Sequence, residues 1–425
     1  MNKKRLFIRS AVAIAVAASS TSALAAGFQL NAQSATGIGR AFAGDAVIAD
    51  NASVMARNPA AMALFDEKAF SIGFESITTQ IEVKDAEYCG TVCNLTPEQF
   101  RNPTSVENTD DVGGTSIAPN VHFILPINEK FAVGFNAYSN FGTKTEFSGD
   151  YAATEYGGLT DVKSFNFGVA GSYRLNDQWS FGAGLDIIYG EGTMKRTAGD
   201  QVLGIKGQDL LNVDGATGTA IGFNVGTVFE LNENNRFGLS YRYSPEFEAK
   251  DDKGQKITLP LPDIAEFSGF HKIEDTKFAV HYSVQYIGWG AFDQIKFDNL
   301  QDSVLTGSYN KPYEWQDGWH YAIGGTYYLN NDWTLRAGYM YDTSAQDQKT
   351  SISVPDSDRQ WLSSGVTYHI DQKSTIDFGI TYLMGKEVSV TESTPSPVGN
   401  FNLSSVTATT QANAILMGLQ YSRSF

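Results

Sequence analysis

The sequence has no apolar run after residue 25 that is long enough for a membrane-spanning helix. Such a helix needs about 20 consecutive, mostly apolar residues to cross the hydrocarbon core of a bilayer. Hydrophobic residues make up only 42% of the 425 residues and are scattered along the chain. These features exclude a helical membrane protein. They leave a transmembrane β-barrel open, because only every second residue of a barrel strand faces lipid.

Catalytic motifs are missing as well. The sequence contains neither the Gly-x-Ser-x-Gly motif of serine hydrolases nor the His-Glu-x-x-His motif of zinc peptidases. Its five histidines are scattered over the chain: His122, His271, His281, His320 and His369. We therefore expect no enzyme, no cofactor and no metal site. An outer-membrane lipolytic enzyme is the alternative, and ester hydrolysis by the purified protein would reveal it.

Cysteine and positive charge are both scarce. The formal net charge is −16, so the chain repels nucleic acid phosphates and nucleic-acid binding is excluded. The two cysteines, Cys89 and Cys93, lie close together in one segment. In an oxidising compartment such a pair forms a local disulfide. We expect that disulfide rather than a metal site, because further ligands are missing nearby.

The first 25 residues have the layout of a secretory signal peptide. Basic residues occupy 3–5, an apolar stretch covers 11–18, and small residues at 23–25 form an A-x-A cleavage motif. The apolar stretch is too short to span a bilayer. The mature chain is expected to begin at Ala26.

What the chain does contain, from about residue 69 onward, is alternation of large apolar residues with small or polar ones. Trp319 and Tyr321, for example, alternate with His320 and Ala322. A period of two residues indicates a β-strand with two different faces. Glycine (41 residues) and aromatics (12%) are abundant, which is typical of transmembrane barrels.

Two kinds of connection separate the alternating segments. Short polar turns with Asn or Asp occur at 126–130, 173–179, 229–234, 272–276, 328–333 and 369–373. Longer irregular loops occur at 84–113, 143–162, 196–218, 250–256, 290–318, 344–357 and 391–410. Asn and Asp close tight turns, and short turns on one side with long loops on the other are the outer-membrane arrangement. Six turns and seven loops predict a 14-stranded antiparallel β-barrel, although 284–298 could be one bent strand or two pieces.

The C-terminal segment ends on an aromatic residue, Phe425, after an amphipathic stretch. This ending resembles the signal that the barrel assembly machinery recognises. We therefore expect that machinery as a partner during biogenesis, and the lipid and lipopolysaccharide of a Gram-negative outer membrane around the mature barrel.

Residues 26–68 do not follow the strand pattern and are rich in Ala, Gly and Ser. Every backbone polar group must be paired in lipid, so this segment lies in the periplasm or inside the barrel. A barrel of about 14 strands is wide enough to hold a plug, and we favour a plug. The predicted units are a signal peptide at 1–25, a hatch at 26–68 and a barrel at 69–425.

Short motifs spread over the chain resemble the FadL family of outer-membrane fatty acid transporters. They are the segments 26–30 (AGFQL), 37–41 (GIGRA), 58–60 (NPA), 118–123 (APNVHF), 139–142 (SNFG) and 351–356 (SISVPD). Each is weak alone, and together they are specific. The resemblance implies fourteen strands, an N-terminal hatch in the lumen and passive transport of long-chain fatty acids. Substrate would pass from the outer loops to a tighter lumenal site and leave sideways through the wall.

The resemblance also implies roles for single residues. In the family a basic residue in the stretch matching 194–200 and a Lys matching Lys311 contact the fatty acid headgroup, and an Asp matching Asp342 belongs to the same site. We therefore assign substrate binding to Arg196, Lys311 and Asp342, with Phe28 as the apolar contact. Strand parity by itself predicts that Asp342 points inward, and Arg196 also if its strand extends that far.

Two motifs are expected to act in the release of substrate. Asn140, Phe141 and Gly142 match the family's kink that opens the wall, and Gly tolerates the backbone shapes of a bulge. The alternative is an ordinary start of a loop. The motif 58–60, which is Asn58, Pro59 and Ala60, would couple the hatch to the wall. The alternative for it is a plain turn.

Two transport alternatives stay open. One is a channel for aromatic hydrocarbons of the same family, although Arg196 and Lys311 favour an acid headgroup over a neutral ring. A comparison of oleate and toluene uptake separates the two. The other is a general polar porin, against which the plug argues. The loops at 196–218 and 250–256 also look shorter than the family's third and fourth loops, which puts the low-affinity outer groove in question.

Overall fold

The computed structural model describes residues 27–31, 33–395 and 401–425. The predicted signal peptide, the expected first mature residue Ala26 and residues 396–400 of the predicted last loop lie outside the described residues. In the described part of the chain, no helix is both long and apolar enough to cross a membrane.

Fourteen antiparallel strands form a closed barrel, which confirms the predicted fold class. Each wall strand pairs with the next one along the chain, and the last strand returns to the first, with Ala69 opposite Ser424. The wall strands are β1 (Ala69–Cys89), β3 (Thr115–Pro126), β4 (Phe131–Glu146), β5 (Leu159–Arg174), β6 (Trp179–Thr197), β7 (Asp209–Asn232), β8 (Asn235–Tyr243), β11 (Ile264–Lys272), β12 (Phe278–Ile287), β15 (Gly318–Tyr328), β16 (Trp333–Asp342), β17 (Arg359–His369), β18 (Ser374–Gly385) and β20 (Asn402–Ser424).

The remaining strands belong to the long loops. They are β2 (Thr104–Ser105), β9 (Glu246–Lys250), β10 (Lys256–Pro260), β13 (Gln294–Leu300), β14 (Gly307–Pro312) and β19 (Val388–Pro395). The described α-helices are short: α1 (Ala35–Ile38), α2 (Val54–Arg57) and α3 (Thr91–Leu95). Single 3-10 segments occupy Pro59–Leu64, Glu98–Phe100 and Trp289–Ala291.

The connections fall where the turn chemistry predicted, but several loop boundaries were wrong. Wall strands extend further than expected, because β1 pairs with β20 as far as Cys89. The fourth loop runs over 244–263 rather than 250–256, since β9 and β10 form a hairpin that also pairs with β7. The segment 284–298 is two pieces, because β12 ends before a 3-10 turn and β13 follows that turn.

The two faces of the wall differ as the alternation predicted. On β15, Tyr321 and Ile323 are 46% and 57% exposed on the outside, whereas His320 and Ala322 are buried on the inside. Aromatic rings also pair across neighbouring strands beside the short turns, as Trp179 and Phe229 do at 4.7 Å. An outer face of this kind is suited to a hydrocarbon layer with an aromatic belt at its edge.

The described residues of 27–68, which we call the hatch segment, lie inside the barrel. Wall glycines let its backbone rest directly on the strands. A Cβ placed on Gly338 would lie 2.1 Å from the carbonyl oxygen of Arg40, and one on Gly379 would lie 2.2 Å from that of Ala35. No side chain fits at such distances, so Gly is required where the hatch segment meets the wall.

Ion pairs with buried arginines connect the hatch segment to several strands. Asp50 lies 3.1 Å from Arg336 of β16, and Arg57 lies 3.6 Å from Glu266 of β11. Inside the segment, Arg40 pairs with Asp50 at 2.8 Å. Removing one partner would leave an uncompensated buried charge, so these pairs hold the segment in one position.

Candidate functional site

Phe28 is the centre of a buried group of aromatic rings. Its ring centroid lies 4.6 Å from Trp289, 5.3 Å from Phe292, 5.9 Å from Trp315 and 6.1 Å from Phe141. We call these five residues the aromatic cluster. Three of its members come from the long loop 288–317, which folds inward over the hatch segment. The cluster offers an apolar surface inside the barrel to which an acyl chain or an aromatic ring could bind.

The three loop residues of the aromatic cluster were not predicted as part of the site, although a weak signal for them is present in the sequence. Trp289, Phe292 and Trp315 flank Lys311 in a stretch that breaks the period-two pattern. Large aromatics in a loop need a place to be buried, since exposure of such rings is unfavourable. Their partner, Phe28, is remote in sequence and became known only from the fold.

Next to the aromatic cluster, the wall is not fully paired. The ladder between β3 and β4 ends at Asn120 and Tyr138, while β4 itself continues to Glu146. Its pairing with β5 shifts register between Ser139 and Phe141, so that Asn140 forms a bulge. In the described residues, β3 and β4 are therefore not paired with each other beyond Tyr138, although each keeps its other neighbour. We call this break the wall gap.

The hatch segment occupies the edge of β4 at the wall gap. The backbone N–H of Gly142 donates to the carbonyl oxygen of Phe28 at 2.9 Å, and that of Leu30 donates to Asn140 at 2.8 Å. Gln29 and Phe141 form an antiparallel bridge between these two bonds. The predicted kink residues thus contact the N-terminal strand-like piece that carries Phe28.

Arg196 is buried on the inner side of β6, only 6% exposed. Its guanidinium donates to the carbonyl oxygens of Leu159 (2.6 Å) and Lys195 (2.8 Å) and to the hydroxyl of Thr160 (2.6 Å). Among the described residues, no carboxylate oxygen lies within 4.0 Å of this guanidinium. Neutral oxygens orient the charge without cancelling it, so the site keeps a buried positive charge available for an anion.

Lys311 lies on β14, and its ammonium is 3.3 Å from Oε2 of Glu392. Burial lowers the pKa of Lys311, but Glu392 and Tyr313 outweigh burial, so the net shift is upward. Arg196 opposes the rise by repulsion, which shows that the two cations belong to one electrostatic neighbourhood. The lysine is charged at neutral pH and has donors left for a second anion. Glu392 was not predicted from the sequence.

Asp342 is fully buried, but it does not join the two cations. Its carboxylate lies 3.2 Å from Arg359 and 3.2 Å from His320, and no ion pair to Arg196 or Lys311 occurs in the described ranges. In the described residues Asp342 thus pairs with side chains other than the two predicted headgroup cations. Asp342 at the end of β16 lies directly opposite Arg359 of β17, so its ion pair forms across these two strands.

Arg359 also pairs with Asp356 of the loop 343–358. Burial raises the pKa of Asp356, Arg359 opposes this rise, and Asp342 adds to it. Asp356 accepts the backbone N–H of Gly27 at 3.4 Å. The charged group of Asp342, Arg359 and Asp356 therefore holds the start of the hatch segment next to Phe28.

The motif Asn58-Pro59-Ala60 joins the hatch segment to the wall at β6 and β7. The Asn58 amide donates to the carbonyl oxygens of Ala46 (3.0 Å) and Thr227 (3.1 Å), and its side-chain oxygen accepts the N–H of Ala60 (3.0 Å). The backbone of Pro59 and Ala60 rests on Gly182 of β6, where a Cβ would lie 2.3 Å from the Ala60 nitrogen. The turn is therefore also a contact point with β6 and β7.

At the outer rim, Cys89 and Cys93 form a disulfide that encloses the start of α3. The loop 198–208 packs against this region, where the N–H of Thr91 donates to the carbonyl oxygen of Gln201 at 3.1 Å. Leu203 is 62% exposed on this loop. Some apolar surface thus remains at the outside, although the described loop is short.

Comparison with known proteins agrees with this geometry. Residues 16–425 match the family described as outer membrane protein transport protein (OMPP1/FadL/TodX). The chain is 34% identical to the long-chain fatty acid transport protein of Escherichia coli K12, covering 92% of this chain and 95% of that protein. It is also 34% identical to outer membrane protein P1 of Haemophilus influenzae, covering 99% of each.

Solved structures show the same fold. A Pseudomonas aeruginosa FadL homologue matches with a TM-score of 0.79 at 19% identity, covering 94% of this chain and 100% of that one. The Pseudomonas putida toluene transporter TodX matches with a TM-score of 0.64 at 17% identity, covering 94% and 99%. From the family match and the identity to its members, the chain belongs to the OMPP1/FadL/TodX family, whose members are transport proteins of the Gram-negative outer membrane for hydrophobic substrates and not enzymes.

Proposed function

We propose that this protein takes up long-chain fatty acids, with the carboxylate bound beside Arg196 and Lys311 and the acyl chain against the aromatic cluster. The observation that carries this proposal is the buried guanidinium of Arg196, which has neutral partners only. A buried charge of this kind is costly unless an anion joins it. An acyl chain adds about 0.8 kcal/mol for each methylene that it buries. An amphiphile with one carboxylate satisfies both parts.

The relatives support this choice of substrate. A relative that is 34% identical over nearly the whole chain carries the name long-chain fatty acid transport protein. The fold neighbours include a toluene transporter, so a neutral aromatic hydrocarbon is the second candidate. The aromatic cluster would accept such a ring, but a neutral ring would leave Arg196 without an anion. We therefore favour the acid.

Binding by the purified protein in detergent tests the proposal. Trp289 and Trp315 lie in the cluster, so their fluorescence should change when oleate binds. Arg196→Gln should weaken oleate binding about 10- to 100-fold, the loss expected for one hydrogen bond to a charged group, and should leave toluene binding unchanged. Lys195→Gln is the matched control, because Lys195 is the next residue but pairs with Asp214 on the outside.

Two results would contradict the proposal. Oleate that binds equally to the wild-type protein and to Arg196→Gln would show that the guanidinium does not hold the headgroup. Toluene that binds in the cluster while oleate does not would favour the hydrocarbon channel. A ligand located in the lumen with its carboxylate at Arg196 and Lys311 would give direct support.

We also propose that substrate leaves sideways through the wall gap. The support is the unpaired edge of β4 beyond Tyr138, which the hatch segment covers with two backbone hydrogen bonds. Substrate that enters the aromatic cluster would displace the ring of Phe28. Because Phe28 lies on the same short piece as those bonds, its displacement would release the edge. Substrate then acts by preferring the conformation with the open gap.

A reversible crosslink tests the lateral route. Gln29 and Phe141 are a non-hydrogen-bonded antiparallel pair, for which the Cα atoms are about 4.5 Å apart and a disulfide is feasible. The double variant Gln29→Cys/Phe141→Cys should stop oleate uptake when oxidised and restore it when reduced. The single variants under both conditions control for the loss of Phe141 and for reduction of the native disulfide. Equal uptake in the two redox states would exclude release of this edge.

The outer rim and the C-terminus complete the proposal. Leu203 and the disulfide-closed helix α3 would first contact substrate, in the role that the family's outer groove has.

Phe425 is exposed at the end of β20, where the barrel assembly machinery could bind it. Deletion of Phe425 should lower the yield of folded barrel in the outer membrane, as measured by heat-modifiable migration, and unchanged yield would argue against this role.

A further inference from the structure

A small cavity lies in the lumen directly behind the wall gap. Its volume is about 30 Å³, which is enough for about two water molecules or one carboxyl group. Tyr138, the last residue of β4 that pairs with β3, lines one side of it. The polar side chains that line it include Gln29, Gln33, Arg57, Tyr138, Asn140 and Gln285. We call it the exit cavity.

Several buried polar atoms around the exit cavity have no partner. The hydroxyl of Tyr138, the side-chain oxygens of Gln29, Gln33 and Gln285, and Nε of Arg57 form no hydrogen bond within the described residues. Tyr138 and Gln29 are each only 1% exposed. Buried polar groups in proteins are nearly always hydrogen-bonded. So many unpartnered groups around one small space indicate that a polar occupant belongs there.

The available groups fit a carboxyl headgroup. The hydroxyl of Tyr138 and the Nε–H of Arg57 are donors for the two oxygens of such a group. The unpartnered side-chain oxygens of Gln29, Gln33 and Gln285 are acceptors, because the amide nitrogens of Gln29 and Gln285 already donate to Asn31 and Glu266. These oxygens therefore fit the O–H of a protonated carboxyl group. Leu30 and Phe141 line the same cavity and can contact the adjoining methylenes.

The charges next to the exit cavity agree with this occupant. Arg57 and Arg242 line it together with one carboxylate, Glu266. Arg57 lies 3.7 Å from Asp45 and 3.6 Å from Glu266 and donates to Asn31 at 2.7 Å. Arg242 pairs with Asp186. Because these charges are compensated within the protein, the position suits a protonated carboxyl group and not a free ion.

We propose that the exit cavity is a second headgroup site, which receives the carboxyl group of a fatty acid after it leaves Arg196 and Lys311 and while the acyl chain passes through the wall gap. This inference rests on the proposed function. Without such a site the headgroup would lose its hydrogen bonds between the first site and the membrane, which raises the barrier for release. The exit cavity thus acts on the rate of release and not on the affinity of the first site.

The test uses two near-isosteric variants in the full-length protein. Tyr138→Phe removes a hydroxyl that has no hydrogen-bond partner in the described residues. Gln33→Met replaces the amide side chain by an apolar side chain of similar size. Tyr151→Phe is the matched control, because Tyr151 is also buried with an unpartnered hydroxyl but belongs to the outer loop 147–158. Each variant is measured for oleate affinity in detergent and for uptake of labelled oleate and methyl oleate by cells that lack their own transporter.

The expected result separates binding from release. Tyr138→Phe should lower oleate uptake about three- to tenfold, the effect of one lost hydrogen bond, with oleate affinity unchanged. Uptake of methyl oleate, which has no ionisable headgroup, should change much less, and Tyr151→Phe should equal the wild-type protein. Gln33→Met should lower oleate uptake in the same direction.

Three outcomes would overturn the inference. Oleate uptake at the wild-type rate by both Tyr138→Phe and Gln33→Met would show that the exit cavity holds only water. An equal loss for oleate and methyl oleate would show a change of shape and not of headgroup binding. Wild-type protein that does not raise oleate uptake above that of cells without it would refute the proposed function itself, and the exit cavity with it.

Discussion

Phe28→Ala should detach the first residues of the hatch segment from the wall gap. Phe28 is buried at 4% exposure, and its ring contacts those of Trp289, Phe292, Trp315 and Phe141. The substitution removes these contacts and leaves a cavity in the aromatic cluster. The backbone bonds that cover the edge of β4 stay chemically intact but lose the side chain that holds them in place.

The magnitude follows from the contacts. Replacing a buried Phe by Ala costs about 3–5 kcal/mol, and each aromatic pair contributes about 0.5–1.5 kcal/mol within that loss. The loss falls on the local docking of residues 27–31 and not on the barrel, because the wall strands pair independently of this ring. The fraction of molecules with a detached segment should rise on the order of 10²- to 10⁴-fold.

Amide hydrogen exchange measures that fraction. The N–H groups of Gly142 and Leu30 are protected by the bonds to Phe28 and Asn140, so both should exchange faster by the same factor in Phe28→Ala. Phe42→Ala is the control, since Phe42 is a buried hatch residue whose ring packs on Trp361 instead. Unchanged exchange at Gly142 would refute the argument that Phe28 closes the wall gap. Equal acceleration by Phe42→Ala would show that the whole hatch segment loosens at once.

Two further predictions concern the seat of the hatch segment on β16. Gly338→Val should displace the segment, because a Cβ there would lie 2.1 Å from the carbonyl oxygen of Arg40. Limited trypsin digestion at Arg40 should then become faster. Gly325→Val is the control and should have no effect, because the nearest neighbour of its Cβ lies at 3.6 Å. The second prediction is acid dependence. Partial burial raises the pKa of Asp50, but Arg40 and Arg336 lower it by more, to below its ordinary 3.8. The stabilisation is therefore complete above pH 3.8 and is lost as the pH falls through the lowered pKa. Amide hydrogen exchange should show loosening of the hatch segment only below about pH 3.8, and Asp50→Asn should lack this acid-dependent step. Loosening that begins at about pH 5 to 6 would contradict the role given to Asp50.

Much of the barrel followed from the sequence because its signals are local. The alternation around Tyr321 and the Asn- and Asp-containing turns depend on residues next to each other in the chain, and they predicted the strand count correctly. Where pairing continued past the alternation, as in β1 and in the β9–β10 hairpin, the loop boundaries were wrong. Strand pairing there depends on a distant partner, which periodicity does not reveal.

The site divides in the same way. The sequence by itself determined that Asp342 faces inward, and that Arg196 does so if its strand extends that far. It also determined that a small-residue segment precedes the strands and that Gly142 follows a position where a bulge can form. Parity and glycine content are properties of one segment. Only the tertiary structure decided that Asp342 pairs with Arg359, that Glu392 meets Lys311, and that the rings of the loop 288–317 close over Phe28. These contacts join residues far apart in the chain, and their geometry is fixed only when the closed wall holds the strands, the outer loops and the hatch segment around one lumen.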